Sequence, residues 1–177
     1  MSVDMPWLTH FLQIVASLFS ERFPEKVEKM ILLHPVRNLS STATDGILKR
    51  AKAASTVEGL GGIANTVAAS AVSKTCATSD FAATALIRLL IASTKPEAYS
   101  AACRALASAP VVDGGLKSVQ VHFIGGEEDY LATPQTVTAW AEEAGGTHTI
   151  LSNVGHWGAI EAPHEVGQDI AQALAPT

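Results

Sequence analysis

Charge is what this sequence has least of. Of its 177 residues, 16% are Asp, Glu, Lys or Arg, against a usual share of roughly 25%. Basic residues are the scarcer kind: Lys+Arg number 12, Asp+Glu 17, and the net charge is −5. A chain with no basic surplus is a poor fit to a nucleic-acid or anionic-membrane binder, since those present basic patches. Cysteine is nearly absent. Cys76 and Cys103 cannot staple a disulfide scaffold, and neither belongs to a C-x-x-C pair, so zinc is not suggested; buried, inert thiols are expected. No apolar run approaches the roughly 18 residues of a membrane span. The first residues hold Asp4 and no Lys or Arg before the run Phe11-Leu12-Gln13-Ile14-Val15, so the positive start of a secretory signal is missing. A soluble, cytoplasmic protein is expected. Hydrophobic residues, by contrast, make up 47%, which excludes disorder as the overall state. The length suits one domain with a sizeable core and room for an inserted cap.

The pattern along the chain is α/β at both ends. Leu8, Phe11, Leu12, Val15, Leu18 and Phe19 recur at helical spacing over 7–22, and Pro24 stops that helix. The run Val27 to Leu33 reads as a buried parallel strand ended by His34-Pro35. From 36 to 110 the composition turns to Ala, Ser and Thr and shows helices without strands. Asp45 is a candidate cap for one through Ile47, Leu48 and Ala51. Gly59 to Gly62 reads as a break, after which Ile63 to Ala71 resumes. Asp80 is a candidate cap for a longer helix through Leu86, Leu89, Leu90 and Ile91. Lys95-Pro96-Glu97 starts another, with Tyr99, Cys103 and Leu106 on one stripe. Beyond 117, strands near 119–124 and 148–152 alternate with a helix opened by Thr133-Pro134 and ended by Gly145-Gly146. A last helix opens at Pro163, with Val166, Ile170 and Leu174 facing inward. Alternation of this kind implies parallel βαβ units: three parallel strands with flanking helices, and an inserted helical cap after the first.

Two loops past strand ends carry the chemistry: Gly125-Gly126-Glu127-Glu128-Asp129-Tyr130 and Asn153-Val154-Gly155-His156-Trp157. Ligands bind beyond the carboxyl ends of strands in open parallel sheets. A carboxylate there fixes the tautomer of a neighbouring imidazole, which then serves as a general base. The other reading is that Asp129 caps a turn and His156 is a solvated loop residue.

The C-terminal third resembles the end of an α/β hydrolase: a strand, G-x-x-D-x-x-x-P, a helix, a strand, G-H-x-x-x-x-E-x-P and a final helix. The corresponding residues here are Gly126, Asp129, Pro134, Gly155, His156, Glu161 and Pro163. By that resemblance Asp129 matches the catalytic acid and His156 the catalytic base. Residues 14–27 resemble the helix after the nucleophile elbow and the strand that follows it. Counting back from Pro24 puts the nucleophile slot at His10, flanked by Leu8 and Leu12 where the family has glycines. G-x-S-x-G does not occur in the chain. The fold implied is the C-terminal half of an α/β hydrolase, divided as 1–35 (helix and strand remnant), 36–116 (helical cap) and 117–177 (closing strand–helix–strand–helix). Within the family, 59–68 and 96–106 resemble the cap entry and exit of 3-oxoadipate enol-lactonase and related esterases. The resemblance implies an ancestral ester or enol-lactone hydrolase acting on a small molecule, with no cofactor and no metal.

Of the remaining candidates, His34 at the cap junction and Trp157 beside His156 are taken as substrate-binding residues, with structural roles as the alternative. His122 lies mid-strand, His148 and His164 read as exposed, and Arg104 reads as a surface arginine. Two functional readings stay open. One is a hydrolase; the other is a non-catalytic binding or interaction remnant or a truncated product, inactive alone because it lacks the nucleophile. Loss of neighbouring strands would leave an exposed sheet edge able to self-associate.

Overall fold

In the computed structural model, which describes residues 8–37, 39–110 and 115–175, three strands form one parallel sheet in the order β1 (Lys29–Leu33), β2 (Gln120–Gly126), β3 (Thr147–Leu151). Met30 pairs with Val121 and Phe123 with His148 in the register. β2 is central and buried along nearly its whole length, as a strand covered on both faces must be. This is the sheet the sequence led us to expect.

One face is apolar. Met30, Leu32, Val121 and Phe123 pack there against Val137, Trp140, Ala141 and Ala144 of α7 (Pro134–Ala144) and against Ala16 and Leu18 of α1 (Leu8–Arg22). Gly145, at φ 68°, closes α7 in the left-handed region glycine favours. The opposite face meets α9 (Pro163–Leu174) through polar groups. His122 Nε2 lies 2.8 Å from Asp169 Oδ2, its Nδ1 2.7 Å from Thr147 Oγ1, and Thr149 donates to Asp169 Oδ1 at 2.9 Å. His122 is therefore a structural tie between sheet and helix. Val166 is buried in α9, whereas Leu174 is exposed and not inward as expected.

α1 divides its apolar residues. Leu18 of its apolar stripe packs against the sheet, but Leu12, Val15 and Phe19 are 55%, 46% and 44% exposed, while Gln13, Ser17 and Ser20 are buried. Small side chains let the helix sit close to the sheet, and Ser20 satisfies its hydroxyl on the Ala16 carbonyl at 2.8 Å. Leu12, Val15 and Phe19 look outward.

Between β1 and β2 the chain makes five helices: α2 (Ser41–Ala53), α3 (Val57–Ser70), α4 (Lys74–Ser79), α5 (Phe81–Ala92) and α6 (Pro96–Ala107). Their core is built from Leu60, Ala64, Ala68, Ile87, Ile91 and Tyr99 with smaller residues. Asp80 caps α5 as expected, but α2 is capped by Ser40, leaving Asp45 inside the helix. Gly59 to Gly62 does not break the chain. α3 runs through it, because a Cβ at residue 59 would meet the Ala53 carbonyl oxygen at 1.8 Å and only glycine lets the two helices approach so closely. Cys76 is buried and Cys103 half-buried, both free. Burial, with Glu161 and Asp80 nearby, pushes the Cys76 thiol up to about 11. It stays protonated and unreactive at neutral pH. Among the described residues no helix is long and apolar enough to cross a membrane.

Candidate active site

The carboxyl ends of all three strands converge. β1 ends in His34, whose backbone turns into the left-handed region at φ 47° while its N–H donates to the Ile124 carbonyl at 2.6 Å. β2 runs into the turn that carries Asp129, and β3 leads through Asn153, at φ 58°, to His156. Asp129 and His156 sit where the sequence placed them, and they meet: His156 Nδ1 lies 2.7 Å from Asp129 Oδ2.

Asp129 is 2% exposed and fully engaged. Oδ1 accepts the N–H groups of Leu131 and Ala132, each at 2.9 Å. Oδ2 faces His156 Nδ1 and, at 3.2 Å, His34 Nδ1. One oxygen of Asp129 thus caps the turn, and the other faces the two imidazoles. His156 is 9% exposed, so the reading of a solvated loop residue falls. Burial by itself would raise the Asp129 carboxyl; the hydrogen bonds from His156 and His34, the charge of His156 and the Ala132 N–H outweigh it and hold it well below the usual carboxylate range. An ionised carboxylate only accepts, so each Nδ1 bonded to it carries the proton and leaves Nε2 as the basic nitrogen.

The loop bearing His156 is clamped. Glu161, the acidic position of the G-H-x-x-x-x-E motif, accepts the N–H groups of Gly155 at 3.0 Å and Ser73 at 2.8 Å on Oε2, and that of Trp157 at 3.0 Å on Oε1. His156 N–H donates to Ala71 O at 2.9 Å, tying the loop to the end of α3. A Cβ at Gly155 would meet the Val72 carbonyl carbon at 2.5 Å, so the two backbones touch only because residue 155 has no side chain. The helical block between β1 and β2 therefore holds the histidine loop directly. The motif contained Glu161; its reach to three backbone donors was not visible in the spacing.

His34, expected as a substrate-binding residue with a structural role as the alternative, is 3% exposed and turns its Nδ1 to Asp129. Trp157 packs against the core of the helical block, and its buried Nε1 has no acceptor among the described residues. Arg104 is exposed and bonded to Ser100 Oγ at 2.7 Å. His148 and His164 are exposed as expected.

Position 10 falls within α1, on helical backbone instead of a strained turn; the His10 side chain is not among those described. Ser17 and Ser20, the next hydroxyls along, are both 0% exposed.

The ligating atoms of His34, Asp129 and His156 lie within 4.8 Å of one another, two nitrogens and an oxygen of the kind zinc takes. A metal on the Nδ1 atoms would displace the protons of both hydrogen bonds and move the His34 proton to Nε2. That atom is buried without a partner among the described residues, so the donor would be stranded. The geometry suits shared protons better than a shared ion.

No family model matches the chain, and no curated protein matches it. Solved structures do. A thermophilic esterase from Thermogutta terrifontis superposes with a TM-score of 0.82 at 23% identity, over 91% of this chain and 60% of that one. An enol-lactonase from Burkholderia xenovorans gives 0.79 at 22% identity, over 95% and 62%. A structure from a study of carboxylesterases of the thaumarchaeon Nitrososphaera gargenis gives 0.74 at 24%, over 91% and 60%. The chain thus spans about three-fifths of the length of each of these similar structures.

Proposed function

We propose that this chain, whose fold is that of the C-terminal part of the α/β hydrolases, carries the acid–base pair of a carboxylic-ester or enol-lactone hydrolase and is inactive alone because it brings no nucleophile. The observation that carries the reading is the 2.7 Å contact between His156 Nδ1 and a buried, ionised Asp129. In that reading His156 Nε2 takes the proton of an attacking hydroxyl, and Asp129 holds the tautomer and stabilises the imidazolium. G-x-S-x-G is missing, position 10 lies on helix, and Ser17 and Ser20 are sealed from solvent. Water alone would lack positioning and oxyanion donors, together worth several kcal/mol or more.

The substrate class is a small ester or lactone. Residues 36–116 act as the cap over the site, between remnant 1–35 and closing unit 117–177. Trp157, whose Nε1–H has no acceptor among the described residues, offers it to a substrate oxygen. Nucleic acid and membranes are not partners, and the setting is cytoplasmic. The second reading, a non-catalytic binding or interaction remnant, draws on the same lack of a nucleophile. It adds self-association through the outer edge of β1, which no strand covers among the described residues, and the exposed Leu12, Val15 and Phe19 of α1. A fluorophosphonate probe tests the proposal: the purified chain is expected to remain unlabelled. Stoichiometric labelling of one serine, with ester turnover lost in His156→Ala, would restore a complete enzyme.

A further inference from the structure

We propose that His34 is a positioning residue for the Asp129–His156 pair, a second imidazole that shares Asp129 Oδ2 and braces the loop on which His156 stands. The inference rests on the reading of Asp129 and His156 as an acid–base pair.

Its first support is the shared oxygen. Asp129 Oδ2 faces His156 Nδ1 at 2.7 Å and His34 Nδ1 at 3.2 Å, and the two rings stand edge to face with centroids 6.0 Å apart. A carboxylate turns freely about its last side-chain bond unless both oxygens are held. The Leu131 and Ala132 N–H groups hold Oδ1. His34 gives Oδ2 a second donor and fixes the plane in which His156 must bind.

The second support lies at the far edge of the ring. A Cβ on Gly158 would come within 2.0 Å of His34 Nε2, so the imidazole abuts the backbone two residues past His156. His34 spans from the acid to the base-bearing loop. The third is its backbone: φ 47° is a conformation that residues with side chains avoid. It is kept here at a buried ring whose Nε2 finds no partner among the described residues. What the ring gains is the bond to Asp129.

The test reads the protons directly. Long-range proton–nitrogen NMR on the full chain, labelled with 15N-histidine, reports which nitrogen of each imidazole is protonated near neutral pH. The wild type is expected to show His34 and His156 both protonated on Nδ1. His34→Asn places an amide donor where Nδ1 stands and tolerates the left-handed backbone; it is expected to keep His156 in that single form. His34→Phe keeps the ring against Gly158 but has no donor, and is expected to turn His156 into a mixture of tautomers. If His34→Phe does not fold, His34→Ala serves as the donorless variant.

A purely space-filling His34 predicts the reverse order, with Phe harmless and Asn disruptive. That order, or a wild-type His34 protonated on Nε2, overturns the proposal. Because the readout needs no turnover, labelling of a serine would sink the nucleophile-free reading and leave this test standing. A wild-type His156 protonated on Nε2 would remove the acid–base pair itself.

Discussion

His34 and His156 are 122 residues apart in sequence, yet both turn Nδ1 to the same oxygen of Asp129, at 3.2 and 2.7 Å. One buried carboxylate thereby joins the ends of all three strands, through His34 after β1, its own turn after β2 and His156 after β3.

Asp129→Asn should be strongly destabilising. The amide offers one acceptor where four donors converge, and its own N–H group confronts another donor. Stranding buried donors in this way costs about 3 kcal/mol. Urea unfolding of the variant against the wild type measures the loss; a change under about 0.5 kcal/mol would contradict the hydrogen-bond inventory.

Acid should weaken the fold through the same residue. The carboxyl of Asp129 is held low in the folded chain, whereas in the unfolded chain it titrates near 3.9. Its contribution is therefore fully present above about pH 5 and is lost progressively as pH falls through about 4 toward the folded value. The midpoint of urea unfolding, followed from pH 7 to 3, should fall more steeply in the wild type than in Asp129→Asn. Parallel profiles would count against it.

Glu161→Ala should loosen the histidine loop. It strands the N–H groups of Ser73, Gly155 and Trp157, at about 1–3 kcal/mol for buried donors left unpaired. Amide hydrogen exchange at those three residues should accelerate, with exchange in β2 changed less. Unchanged protection at Gly155 and Trp157 would show that the clamp is incidental.

The fold was legible where local chemistry decides it. Apolar runs bounded by breakers marked the first two strands, the alternation after Gly145-Gly146 marked the third, Pro134 and Pro163 marked helix starts, and Asp80 marked a cap. Gly59 misled because glycine in a helix usually signals a break; here it answers an approach by Ala53 that no local pattern reveals. The facing of α1 was not legible, because the periodicity gives a stripe but not what lies against it. In the site, Asp129 and His156 were readable from their motifs. The contact of His34 with Asp129 was not, since residues 95 apart meet only through the order of the sheet.

The exposed apolar residues of α1 should govern association. Leu12, Val15 and Phe19 are each at least 44% exposed, and apolar patches of this kind favour contact with another surface. The triple variant Leu12→Lys, Val15→Glu, Phe19→Lys should shift sedimentation toward the monomer while altering unfolding by no more than about 1 kcal/mol. Association unchanged by the triple variant would locate the sticky surface elsewhere.

The most direct measurement of the central claim is hydrolysis of an activated ester, p-nitrophenyl acetate, by the purified chain and by His156→Ala. With an acid–base pair in place and no nucleophile to activate, the two proteins should give the same unsaturable background rate. Saturable turnover in the wild type, lost in His156→Ala and in one serine variant, would contradict the account.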